Sequence, residues 1–84
     1  MNNTSNSPVL TSEGITFGVM VDYKWHECLL STDALTNLNQ LSVIDRDPMA
    51  TYDAYETKIA GVARRLVTAG VLTSPIILGP KNFR

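Results

Sequence analysis

The sequence predicts a small α+β domain, a mainly antiparallel sheet in the order β-β-α-α-β with two helices packed on one face. Three observations predict it. Gly14–Asp22 alternates apolar and other residues with a period of two, the mark of a strand with one buried face. Ser31-Thr32-Asp33 and Asp47-Pro48 are helix starts, each followed by apolar residues at helical spacing. Ser74–Leu78 then reads as a short closing strand.

In chain order, residues 1–13 form a polar leader, flexible in composition, with room for an additional strand before the domain at 14–84. In the first strand, Ile15, Phe17, Val19 and Val21 face the core, and Thr16, Gly18 and Met20 face away. Asp22-Tyr23 turns the chain. Lys24–Ser31 returns antiparallel, because so short a connection allows nothing else. Trp25 and Leu29 fall on one face of this second strand, and His26, Cys28 and Leu30 on the other.

A short helix follows the Ser31-Thr32-Asp33 cap, with Leu35, Leu38 and Leu41 at helical spacing. Ser42–Asp47 is read as a loop. The main helix starts at Asp47-Pro48 and runs to Gly70, its apolar stripe formed by Tyr52, Tyr55, Ile59, Val62, Ala63 and Leu66. Gly70 is expected to end it in a left-handed cap. Pro75 has no donor, so the last strand either lies at a sheet edge or begins at that residue. Gly79-Pro80 ends it, and Phe83 is placed to return to the core.

Composition narrows the function classes. A chain of 84 residues makes one domain with a thin core and little room for a deep, dry pocket. The net charge of −1 gives no global attraction to nucleic acid or anionic lipid. A single cysteine excludes an internal disulfide, and no apolar run reaches membrane-spanning length. A cytoplasmic protein without a membrane partner is the expectation. Charge is uneven along the chain. Residues 1–57 hold all eight acids with Lys24 and Arg46, whereas 58–84 hold Lys58, Arg64, Arg65, Lys81 and Arg84 and no acid.

The order of elements resembles a known family. Cys28-Leu-Leu-Ser-Thr-Asp-Ala-Leu35 is similar to its hydrophobic strand followed by Ser or Thr, an acid, Ala and Leu. Tyr55–Arg65, with Ile59 and Ala63 four apart after an aromatic, and Ile76-Ile-Leu78 ending in Asn82-Phe83 match its main helix and closing strand. On these residues the chain resembles the short bacterial proteins of the domain of unknown function 1488 family, over roughly residues 14–83. It departs where the family has a basic residue before the helix isoleucine, here Glu56, and a terminal acid, here Asn82. The resemblance implies the fold and no activity.

Candidate chemistry is sparse. His26 and Cys28 share a strand face, as an imidazole and the thiol it activates would. No third group to orient the base and no oxyanion donor accompany them in the sequence, so an inert buried cysteine is the favoured reading. Asp45, Asp47 and Asp53 lack the glycine and glutamate of a calcium loop, and helix capping accounts for Asp47. No phosphate-binding glycine motif is present. Gly61, inside the main helix, suggests a close neighbour, either the sheet or a second subunit, with plain tolerance of the glycine as the alternative. Lys58, Arg64 and Arg65 could meet phosphates, though acids early in a helix and bases late match the helix dipole. Tyr23 and Trp25 are the aromatics expected to be exposed.

The sequence thus favours a non-enzymatic interaction or accessory domain, binding no cofactor or metal, whose partner is another protein or a second copy. Its expected contact residues are Trp25, Tyr23, Lys58, Arg64 and Arg65. Nucleic-acid binding through the basic C-terminal third is the alternative, and a Cys28–His26 enzyme the second.

Overall fold

The alternation of Gly14–Val21 (β2) and the run Lys24–Ser31 (β3) form a hairpin in which Val21 pairs with Lys24 and Gly14 with Ser31. The two turn residues, Asp22 and Tyr23, both have positive φ, 53° and 65°. Two left-handed residues in a two-residue loop match the right-handed twist of the strands they join. Residues 8–40, 47–71 and 73–83 are described by this computed structural model. The expected loop at 42–46 and Leu41 lie outside the described residues.

The latter part of the leader adds an edge strand. Val9–Thr11 (β1) pairs antiparallel with Gly14–Thr16 through a second tight hairpin. On the other side, Ile76–Leu78 (β4) pairs parallel to Cys28–Leu30. The sheet order is therefore β1-β2-β3-β4, mixed and mainly antiparallel. The closing strand begins after Pro75 and lies at the edge, as a residue without a donor requires.

Three helices, not two, cover one face. Thr32–Gln40 (α1) starts at Ser31, whose hydroxyl accepts from the Ala34 N–H at 3.1 Å. Pro48–Ala54 (α2) is capped by the Asp47 carboxylate, which accepts from the Ala50 N–H at 2.7 Å. The expected single main helix is interrupted at Tyr55 (φ −116°, ψ 19°), and Glu56–Thr68 (α3) follows. No proline or glycine marks this break. The Tyr55 N–H is shared between the carbonyls of Thr51 and Tyr52 at 3.2 Å each, so the backbone stays satisfied through it. Gly70, at φ +95°, ends α3 as expected. Its N–H donates to Val67 and that of Val71 to Leu66, the paired bonds of a left-handed helix stop.

The core lies between the helices and the face carrying Ile15, Phe17, Cys28, Leu30, Ile76 and Leu78. Leu35 and Leu38 of α1, Tyr52 of α2 and Ile59, Val62 and Ala63 of α3 close over it. Tyr52 meets Phe17 edge-on, with ring centres 5.6 Å apart. Phe83, in a 3₁₀ turn at Pro80–Phe83, returns to the core. The Asn82 side chain accepts from the Gly79 N–H at 2.8 Å and holds that turn.

Candidate functional site

Covering one face of the sheet leaves the other open. Alternation and register place Val9, Thr16, Leu29 and Ile77 in one row straight across all four strands on the open face. A second row, nearer the β2–β3 turn, pairs Met20 with Trp25. Val9, Met20, Trp25 and Ile77 are 40–55% exposed, yet Leu29 at the centre is only 8% exposed, so its neighbours on the face bury it. Scattered apolar residues on a surface are ordinary, whereas grouped ones mark a contact site; here the Gly18–Glu27 pair, with Glu27 exposed, stands between the two rows, and the Trp25 ring lies over Gly18.

Trp25 lies flat on Gly18. A Cβ at position 18 would collide with the indole ring, so glycine in the middle of this strand is what lets the tryptophan fold down. Tyr23, the other aromatic expected at the surface, is fully exposed at the turn.

The outward-facing backbone of β2 is a second feature. The Thr32 N–H donates to the Glu13 carbonyl at 3.2 Å, one step beyond the Gly14–Ser31 pair. Hydrogen-bonded pairs alternate along an antiparallel ladder. Ile15, Phe17, Val19 and Val21 therefore aim their backbone groups at β3, and the even-numbered residues aim theirs away. Gly14 and Thr16 meet β1, whose described pairing reaches Val9, and Gly18 and Met20 lie further along the same edge, with no strand partner among the described residues. Beside this edge runs a shallow groove of about 420 Å³, walled by Trp25 and Met20 on one side and by Tyr52, Glu56, Ala60 and Arg64 on the other.

The remaining sequence candidates separate. Cys28 is fully buried, and its thiol donates to the backbone carbonyl of His26 at 3.7 Å. Burial, with a smaller contribution from the charge of Glu27, pushes the thiol up to about 11. At neutral pH it is protonated, the opposite of an activated nucleophile. The three expected cations do not form one cluster. Lys58 and Arg65 border a hollow with Gly61 and Phe83, while Arg64 borders the groove with Trp25. Within α3, Glu56 sits in the first turn and Arg65 in the last, as the helix dipole favours. Asp53 and Asp47 belong to α2, so the charge gradient read along one helix belongs to two. Gly61 is exposed, with nothing among the described residues near the position a Cβ would take, so the sheet does not account for it. Asp47 is a cap, and Asp45 lies outside the described residues. Among the described residues, no three His, Cys, Asp or Glu side chains gather as a metal site, and no helix is long and apolar enough to cross a membrane.

Sequence reasoning named Trp25, Tyr23 and Arg64 but passed over Gly18, Met20, Leu29, Glu56, Ala60 and Ile77. A mid-strand glycine was the one available signal, since it marks close approach of another group. In comparisons with known proteins, no family model, no curated protein and no solved structure matches this chain.

Proposed function

We propose that this protein works by protein contact, as a non-catalytic interaction or accessory domain, and that the open sheet face is its contact surface. The observation that carries the proposal is the row Val9–Leu29–Ile77 together with Met20 and Trp25 beyond the Gly18–Glu27 pair, apolar residues on a face that no described element covers. The buried, protonated Cys28 supports a role without nucleophilic chemistry. A cytoplasmic location and kinship with the domain of unknown function 1488 family belong to the same proposal. The kinship rests on Cys28–Leu35, Tyr55–Arg65 and the Ile76–Phe83 ending.

The test is a comparative capture from nuclease-treated lysate with the native chain and with Ile77→Lys, a change at a half-exposed position on the open face. A protein retained by the native chain and lost with the variant supports the proposal. Equal retention by both assigns the contact to another surface. Retention that disappears on nuclease treatment favours nucleic acid instead.

A further inference from the structure

We propose that the hollow between α3 and the 3₁₀ turn at Pro80–Phe83 binds a small phosphate ester, on the helix side of the molecule and independently of the contact reading above. Its volume is about 410 Å³, within the ~300–1,000 Å³ usual for small-molecule sites. Among the described residues its lining is Lys58, Gly61, Val62, Arg65, Asn82 and Phe83. No acid is in that lining, and the polar groups left free in it are all donors. Lys58 and Arg65 are exposed and have no carboxylate partner among the described residues. The Asn82 side-chain carbonyl accepts from the Gly79 N–H, which leaves the amide NH₂ to donate. Val62 and Phe83, both buried, give the hollow an apolar floor.

Two positions in this lining have no account in the fold. Lys58 is in the first turn of α3, where the helix dipole disfavours a cation, although Arg65 in the last turn suits it. Gly61 weakens a helix relative to alanine, yet a Cβ there would meet nothing. A bound anion accounts for both. Residues 58, 61 and 65 follow one flank of the helix at three- and four-residue steps. Lys58 and Arg65 are about 10 Å apart along the axis, and both side chains are long enough to converge over the glycine between them. A side chain at 61 would stand where they meet. Two cations and an amide donor suit a dianion, and a phosphate monoester carries a charge of about −1.5 to −2 at neutral pH. The planar guanidinium and the compact ammonium both serve phosphate oxygens well. Arg64 borders the groove on the other flank, so the cations of α3 form no continuous track for a nucleic-acid backbone. An isolated pair takes one phosphate, and the apolar floor takes the group esterified to it.

Nitrogen-15 NMR of the full chain tests the proposal, with phenyl phosphate and inorganic phosphate added at constant ionic strength. Saturable shifts are expected at Gly61, Val62 and the Asn82 side-chain amide. The expected dissociation constants are about 1 mM for phenyl phosphate and about 10 mM for inorganic phosphate, the difference coming from the apolar floor. Lys58→Gln and Arg65→Gln should each weaken phenyl phosphate binding about fivefold or more, and Arg64→Gln by less than about twofold. Gly61→Leu keeps both charges and favours the helix, so it should abolish binding in a chain at least as stable to urea as the native one. That combination separates a site from a merely structural glycine. Shifts that do not saturate by about 50 mM overturn the proposal, as do equal shifts around Arg64, which mark a diffuse ion atmosphere. Undiminished binding by Gly61→Leu also overturns it. So does tighter binding of a single-stranded decanucleotide that is lost with Arg64→Gln, which assigns the cations to nucleic acid instead.

Discussion

Ile76 and Ile77 are neighbours in one strand with the same side chain, and they meet opposite fates. Ile76 pairs with Cys28 beneath the helices and is 2% exposed; Ile77 pairs with Leu29 on the open face and is 50% exposed. The pleat alone separates them. The same division runs through the whole sheet, since the covered and open faces are drawn from the same strands and both carry large apolar residues, mixed on the open face with Thr16 and Glu27. What differs is the cover, supplied by the three helices to one face and by nothing in the described chain to the other. An apolar pattern therefore identifies a surface to be buried, while the layer order shows whether this chain buries it or leaves it for another.

The sharpest way to break that comparison is to shorten each isoleucine in turn. Ile76→Ala removes buried carbons from a packed site and should cost about 3 kcal/mol, within the range for such core truncations. Ile77→Ala should cost less than about 1 kcal/mol, mostly lost strand preference. Urea denaturation of both variants measures the difference. Equal costs would mean that the open face is covered in solution at the concentration used, and repeating the Ile77→Ala measurement at tenfold dilution would then expose the cover as a second chain.

How far this division was legible depends on the element. The alternation in Gly14–Val21, the Asp22-Tyr23 turn, the Ser31 and Asp47 caps and the Gly70 stop each announce themselves through one or two residues whose local chemistry permits little else, and the structure contains all of them. The break at Tyr55 does not. Tyr52, Tyr55, Ile59 and Val62 keep helical spacing through it, and the shared N–H bond that bridges it depends on backbone rather than residue type. Trp25 was readable as exposed; that it lies on Gly18 became apparent only with the cross-strand register.

A second test uses pH, because Cys28 belongs to the covered face and its cost of ionisation reports that cover. Burial first, and then the charge of Glu27, raise its thiol from an ordinary value of 9.0 to about 11. The unfolded chain thus loses the proton before the folded one. The stabilising effect is complete below pH 9 and is lost as pH rises from there to 11, by at most on the order of 2 kcal/mol. Tyr52, also raised by burial, from 10.0 to about 12, extends the loss to higher pH. Urea melts at pH 8, 9, 10 and 11 should show this decline, and Cys28→Ala should flatten its first part. A profile in the native chain that stays level to pH 11 would mean that water reaches the thiol and that the face is less well covered than its packing indicates.

The smallest expected effect lies in the cover itself. Of the two helix starts on either side of Tyr55, that of α2 has a side-chain cap and that of α3 has none. Asp47 therefore anchors the segment that carries Thr51 and Tyr52 over Phe17. Asp47→Ala keeps the backbone bond from the Thr51 N–H to the carbonyl of residue 47 but leaves the Ala50 N–H without its acceptor. A loss of about 1 kcal/mol is expected. Asp47→Asn keeps an acceptor while removing the charge that favours a helix N-terminus, so it should cost only about 0.3–0.5 kcal/mol. Paired urea melts of the two variants separate the hydrogen bond from the charge. If Asp47→Ala costs nothing, the packing of Tyr52 against Phe17 holds α2 without its cap, and the covered face owes its cover to side-chain contact rather than to the helix start.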